Sequence, residues 1–183
     1  MMNAAKAGAS SWKSDMTLAL LAMLVALAVN ATTGFRELSN AGGDNDSLLR
    51  LVEVRDMLAG QGWFDLHQYR MGPEGGFVTH WSRLVDAPLA AIILVASALT
   101  GSMAMAEAIA QVLWPALLFC LAVFFLARAA RSFAGAGAVL PAIVIGAAAL
   151  HFIGIFLPGA LDHHNVQLTL TMASLSLLLE APT

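Results

Sequence analysis

Two carboxylates stand close together in the polar part of the sequence, at Asp44 and Asp46. They lie at positions i and i+2 directly after Gly42-Gly43, a flexible segment that would let both side chains turn toward one ion. Carboxylate oxygens are the ligands that hard cations such as Mg²⁺ and Mn²⁺ prefer. Helix capping is the alternative, because Asp46 or Ser47 immediately before an apolar helix would serve as its N-cap. Both interpretations stay open for this segment alone.

A second polar cluster, Asp162-His163-His164-Asn165, follows a Pro-Gly pair after a long apolar stretch. Ionisable groups at the edge of hydrocarbon are costly, so their presence there favours a functional role. Asp162 and His164 would combine one oxygen and one nitrogen ligand, a mixture that suits Mn²⁺. The alternative is that Asp162 or Asn165 caps the next helix while the histidines bond to lipid headgroups.

The composition indicates which elements must position these clusters. Of 183 residues, 59% are hydrophobic and only 11% are charged, and the mean hydropathy is +0.77. These values exclude an ordinary soluble domain and make the lipid bilayer the implied partner. The net charge of −3, without any run of Lys or Arg, gives no indication of nucleic-acid binding. We expect an all-α integral membrane protein: a multi-span helical bundle with a long outer loop that contains short helices.

The apolar stretches define one membrane domain over residues 1–183, with predicted spans at about 16–33, 103–127, 140–157 and 166–179. The loop 34–86 holds eight acids and five arginines, and Ser47–Leu58 within it has the apolar spacing of a short amphipathic helix. Residues 88–100 offer too few apolar positions to bridge about 30 Å at about 1.5 Å per residue. We therefore expect that segment to be interfacial or re-entrant.

The topology decides whether the two polar clusters can meet. If every apolar stretch crosses the bilayer, the clusters fall on opposite faces, and Arg128 and Arg131 lie opposite Lys6 and Lys13, against the positive-inside tendency. If 88–100 does not cross, all four basic residues face the cytoplasm and both clusters face outward. We favour this second topology, which places the polar loops on the non-cytoplasmic face of the cytoplasmic (inner) membrane.

The order of these features resembles the N-terminal part of the C-type (GT-C) membrane glycosyltransferases, closest to oligosaccharyltransferase catalytic subunits. The shared features are an Asn-Asp or Asp-x-Asp loop ahead of a helix, an interfacial helix, two spans joined by a short basic turn, and then an Asp-x-His motif. Here they are carried by Asn45-Asp46 or Asp44-Asn45-Asp46, and by Asp162-His163-His164. The similarity runs over about residues 16–179.

The resemblance implies a set of site residues. By it, Asp46, with Asp44 as the alternative, is the first-loop metal ligand and catalytic carboxylate, and Asp162 and His164 are the second-loop ligands. The family holds Mn²⁺ or Mg²⁺ on these residues, and the cation grips the phosphate of a polyprenyl-phosphate sugar donor. Arg70 and Arg83 are candidates to contact the same phosphates, with surface or headgroup pairing as their alternative.

Two functions follow as expectations. The first is an oligosaccharyltransferase-like glycosyltransferase that transfers a sugar or glycan from a polyprenyl-phosphate-linked donor. Family members are much longer than this chain, so we expect it to be the N-terminal part of a larger fold, with the remainder of that enzyme as a partner. The second is a small non-catalytic membrane subunit, or a truncated fragment, whose polar loop binds a protein partner.

Overall fold

The computed structural model describes residues 2–39 and 45–181, and the side chains of 11–38 and 45–181. Its helices in chain order are α1 Met2–Thr32, α2 Arg36–Ser39, α3 Asn45–Leu58, α4 Arg83–Thr100, α5 Met103–Ala134, α6 Val139–Ile153 and α7 His164–Glu180. A 3₁₀ turn over Ala136–Ala138 connects α5 to α6. Two short antiparallel strands, β1 His67–Gln68 and β2 Phe77–Val78, form a hairpin between α3 and α4.

Within the described residues, four helical segments are long and apolar enough to cross a membrane: Ser11–Thr32, Arg83–Thr100, Met103–Ala134 and Ala136–Ile153. The expectation of an all-α membrane protein is confirmed to this extent. The set differs from the predicted spans at two places, because it includes α4 and does not include the 17-residue α7. The interfacial placement of α4 stays a prediction.

Several helix bounds differ from those predicted. α4 begins at Arg83 instead of 88, where Ser82 accepts a hydrogen bond from the amide of Leu84 at 3.2 Å and so caps the helix. α5 continues to Ala134, seven residues beyond the predicted end, and α6 stops at Ile153 instead of 157. Arg83 therefore lies in α4, and Arg128 and Arg131 lie in α5, whereas the predicted bounds left all three residues in loops.

α5 lies at the centre of the bundle and packs against α1, α4, α6 and α7. α1 runs antiparallel to it, since Trp12 stacks edge-on against Phe124 with ring centroids 5.1 Å apart. α7 runs parallel to it, since Thr169 donates to the carbonyl of Leu118 at 3.2 Å. α6 approaches closely because Gly146 has no side chain: a Cβ there would lie 2.2 Å from Leu126 Cδ2.

The two ends of the bundle differ in what they hold. At the end where α1 and α7 meet the C-terminal part of α5, Asp15 is fully buried and pairs with Arg128 at 3.3 Å and with Arg131. Arg128 also pairs with Glu180 of α7 at 2.8 Å. The opposite end carries α3, the hairpin and the segment before α7, so the polar clusters of the sequence lie together there.

An apolar groove runs between α1 and α6. Leu21 and Val25 line it from α1, and Val144 and Ala147 line it from α6. Its volume is about 510 Å³, and it reaches residues 151–152 at the end of α6. We call this feature the α1–α6 groove.

Candidate metal centre

A buried serine joins the two polar segments. Ser47, in the first turn of α3, accepts hydrogen bonds from the backbone amides of Leu161 at 3.0 Å and Asp162 at 3.3 Å. Its side chain is 2% exposed. The segment 154–162 is held from the other side, because Gly159 donates its amide to the carbonyl of Gln111 in α5 at 2.8 Å. The loop after α6 is therefore fixed between α3 and α5.

One cleft of about 280 Å³ opens at this junction. Asp46, Asp162 and His164, three of the four residues expected to bind a metal, all line it, together with Ser47 and Asn165. The backbone around 153–155 and 160 completes the walls. The fourth expected ligand, Asp44, lies outside the described residues. We call this feature the acid cleft.

The carboxylate of Asp162 is the centre of the cluster. Its Oδ1 accepts the backbone amide of His163 at 2.6 Å and lies 2.5 Å from the Nδ1 of the same histidine, and its Oδ2 contacts Nδ1 of His164. Burial raises the pKa of Asp162, but the hydrogen bonds from His164 and from the His163 amide outweigh it, so the pKa lies below its ordinary value. The carboxylate is therefore ionised at neutral pH.

Three side chains present donor atoms at one point. Asp162, His163 and His164 each offer one ligand atom, and these atoms lie within 4.8 Å of one another. A carboxylate oxygen with two imidazole nitrogens is a donor set that fits a divalent transition cation such as Mn²⁺. Asp46 lines the same cleft but does not belong to this group of three. Asp162 and His164 can thus hydrogen-bond each other, or all three side chains can share a cation.

The structure tests the helix-capping alternative at both polar clusters. α3 begins at Asn45, so Asp46 lies inside its first turn, where a negative charge suits the helix dipole. Ser47 is not the cap of α3, because its hydroxyl accepts the two amides of the other segment. α7 begins without a side-chain cap, and Asn165 donates its amide to the carbonyl of Ala160 at 2.9 Å. Capping by Asp162 or Asn165 is therefore wrong for α7.

The guanidinium of Arg83 is hydrogen-bonded within the protein. It is 3% exposed, and its guanidinium donates to the carbonyls of Glu53 at 3.1 Å and Asp65 at 2.8 Å, to Gln61 Oε1 at 2.8 Å and to Asp86 Oδ2 at 3.1 Å. These bonds attach the polar loop to α4 and leave the guanidinium buried. The phosphate contact expected of Arg83 stays a prediction.

Arg70 lies in a different place from the acid cleft. It is exposed and pairs with Asp56 of α3. Together with Gln61 and Tyr69 it lines a separate surface cleft that contains none of the acid-cleft residues. A phosphate bound at Arg70 would therefore lie outside the acid cleft.

A buried charge network, formed by Arg50, Glu53, Arg83 and Asp86, lies beneath the loop. Arg50 pairs with Asp86 at 2.7 Å and with Glu53 at 3.6 Å, and its guanidinium lies 4.4 Å from the ring centroid of Trp81. Burial is the largest cause that raises the pKa of Glu53, and the negative charge of the nearby Asp86 raises it further. In the sequence, an acid follows each arginine of this network three residues later, and this spacing indicates an ion pair within one helix. Nothing in the sequence indicates the long-range pairing of Arg50 with Asp86.

His163 and Asn165, which are neighbours of Asp162 and His164 in the chain, were not among the expected ligands. His163 was left without a role because the Asp-x-His pattern skips it, although its position between the two ligands was visible. Asn165 was considered only as a helix cap. The structure places His163 against the carboxylate of Asp162, and it places Asn165 in the lining of the acid cleft.

The chain matches no protein-family model, and comparison with curated proteins and with solved structures finds no significant match.

Proposed function

We propose that this chain is a metal-assisted membrane glycosyltransferase of the GT-C type, or the metal-binding part of one, that uses a polyprenyl-phosphate-linked sugar donor. The observation that carries the proposal is the shared acid cleft. Ser47 and Asp162 are 115 residues apart in the chain, yet they are hydrogen-bonded, and their neighbours Asp46 and His164 line one cleft. Helix capping does not require the two segments to converge in this way.

The residues of the cleft fit the needs of phosphate departure. Asp46, Asp162 and His164 would hold Mn²⁺ or Mg²⁺, with His163 as a further nitrogen donor from the same cluster. When bound, the cation supplies a Lewis acid for the charge that develops on the leaving phosphate oxygen. Ionised Asp162 provides negative charge for the cation, and Ser47 fixes the backbone amide of Asp162 and therefore its position.

The neighbourhood of the cleft favours a lipid-linked donor over a soluble one. Residues 151–152 line the end of the α1–α6 groove, and residues 153–155 line the acid cleft. Consecutive residues of α6 and its C-terminal turn therefore line the apolar groove and the acid cleft. A polyprenyl phosphate has one polar end and one long apolar chain, which these two adjoining features would accommodate.

The test is Mn²⁺-dependent binding and cleavage of a polyprenyl-phosphate-linked sugar by the purified, detergent-solubilised chain. Asp162→Ala and Asp46→Ala should weaken Mn²⁺-dependent donor binding at least about tenfold, a loss typical of metal-site residues. Glu74→Gln is the matched control, because Glu74 is an exposed acid of the same polar loop that does not line the cleft. Equal donor binding by the wild type and both alanine variants would contradict the proposal.

A non-catalytic subunit is the second candidate, and exposed aromatic side chains favour it. Trp63, Phe64 and Tyr69 in the polar loop are 45%, 93% and 69% exposed. Aromatic side chains of this kind are enriched where proteins contact partners. A photocrosslinker at Phe64 in native membranes should then give one discrete protein adduct, while one at Glu74 should not. A discrete adduct in a chain that binds no Mn²⁺ would favour this function over the first.

A further inference from the structure

Asn165 is the most deeply buried of the residues that line the acid cleft. It is the second residue of α7 and directly follows the Asp162-His163-His164 cluster. Its side chain is 1% exposed, and it lines the cleft together with Asp46, Asp162 and His164. A polar side chain in such a position must satisfy both ends of its amide group.

The hydrogen bonds of Asn165 fix the orientation of its amide. The amide nitrogen donates to the carbonyl of Ala160 at 2.9 Å. Only the NH₂ group can donate to a carbonyl, so this contact determines which atom of the side chain is the oxygen. The oxygen, Oδ1, is buried and has no hydrogen-bond partner among the residues that the structure describes.

An acceptor held in this way is suited to a hard cation. Amide oxygens of asparagine are ordinary ligands of Mg²⁺- and Mn²⁺-type ions alongside carboxylates. An oxygen that is buried without a partner costs free energy, and a bound cation would recover that cost. The carboxylates and histidines of the cluster supply fewer than the about six ligands that such ions take, so a further oxygen donor is needed.

We infer that Asn165 supplies its side-chain oxygen as a further ligand to the divalent cation of the acid cleft. The inference rests on the proposed metal site and adds a residue that the Asp-x-His motif does not contain. Its amide nitrogen, held by Ala160, then serves to orient the oxygen.

The experiment is Mn²⁺ titration of the purified, detergent-solubilised chain, followed by paramagnetic resonance of free Mn²⁺. Asn165→Leu keeps the approximate volume but removes the oxygen, and it should weaken Mn²⁺ binding at least about tenfold. Asn165→Asp keeps an oxygen ligand but loses the bond to Ala160, and it should bind Mn²⁺ at least as tightly as the wild type. Thr169→Val is the matched control, because Thr169 is a buried polar residue one turn later that does not line the cleft.

The outcomes separate this inference from the proposed function. If Asp162→Ala abolishes Mn²⁺ binding and Asn165→Leu does not change it, the metal site stands and the inference about Asn165 is wrong. If Asn165→Asp binds as weakly as Asn165→Leu, the residue acts through its bond to Ala160 and is not a ligand. Absence of Mn²⁺ binding by the wild type would overturn both.

Discussion

Replacing Ser47 with alanine tests the junction on which the acid cleft depends. The hydroxyl of Ser47 accepts two backbone amides, from Leu161 at 3.0 Å and from Asp162 at 3.3 Å, and the site is buried. Alanine fits the same backbone conformation in a helix and removes only the hydroxyl. The change therefore removes the two bonds between α3 and the segment before α7.

The expected cost follows from the two amides left behind. A buried donor without an acceptor costs about 1–3 kcal/mol. The bond at 3.3 Å is longer than the usual range and should contribute less than the one at 3.0 Å. We therefore expect Ser47→Ala to lower the free energy of unfolding by about 2–3 kcal/mol, and each kcal/mol lowers Tm by roughly 2–4 °C in a chain of this size.

Thermal unfolding of the detergent-solubilised chain, followed by tryptophan fluorescence, measures this loss. Ser82→Ala is the matched control, since Ser82 is an exposed N-cap that accepts one amide, and its loss should cost about 1 kcal/mol. Mn²⁺ affinity should fall in the Ser47 variant and stay unchanged in the Ser82 variant. The reasoning is refuted if the two variants have the same Tm.

Three further changes probe the polar loop through the free energy of unfolding. Glu53→Gln should remove a pH dependence of the free energy of unfolding. Because the folded pKa of Glu53 is raised, the wild type loses stability as pH rises from the unfolded pKa of this carboxyl through its folded pKa. The variant should therefore be at least as stable as the wild type at neutral pH. Asp86→Asn should cost about 3–5 kcal/mol because it removes the nearest carboxylate of two buried guanidinium groups, whereas Glu107→Gln should cost at most about 1 kcal/mol because its arginine partner is half exposed. Gly76→Ala should cost more than Gly75→Ala, by about 1–3 kcal/mol: both glycines have positive φ, but only a Cβ at 76 would lie 2.3 Å from a carbonyl oxygen of β1.

Each of these changes has an outcome that contradicts it. An unchanged pH slope in Glu53→Gln would show that another group sets that slope. Equal losses in Asp86→Asn and Glu107→Gln would show that the buried network contributes no more than a surface pair. Equal losses in the two glycine variants would show that the backbone conformation alone decides the cost.

The apolar helices could be predicted from the sequence, but their ends could not. Hydropathy locates the centres of α1, α5 and α6, because lipid-facing positions must be apolar. The predicted end of α5 stopped before Arg128 because the pattern treats a charge as a boundary. In the structure the helix continues, since Asp15 and Glu180 neutralise the arginines from distant parts of the chain. Such pairing cannot be seen from local composition.

The candidate site, like the helices, could be predicted from the sequence only in part. The clusters at 44–47 and 162–165 were visible as short polar motifs, and the topology argument predicted that they face one side. What the sequence did not reveal is the contact between them, which depends on the hydroxyl of Ser47. The burial of Arg83 was also missed, because three of its four acceptors, on Glu53, Gln61 and Asp65, come from earlier segments of the loop.

The cluster around Asp15 has a consequence for how the protein enters the membrane. Asp15 belongs to the apolar segment Ser11–Thr32, which is synthesised before α5, and its partner Arg128 comes 113 residues later. An unpaired carboxylate costs about 2.5–3.5 kcal/mol at the centre of a membrane helix and less near its ends. During synthesis we therefore expect α1 to rest with Asp15 in the hydrated interface. The final position of α1 then depends on the insertion of α5. α7 completes the cluster when Glu180 reaches Arg128.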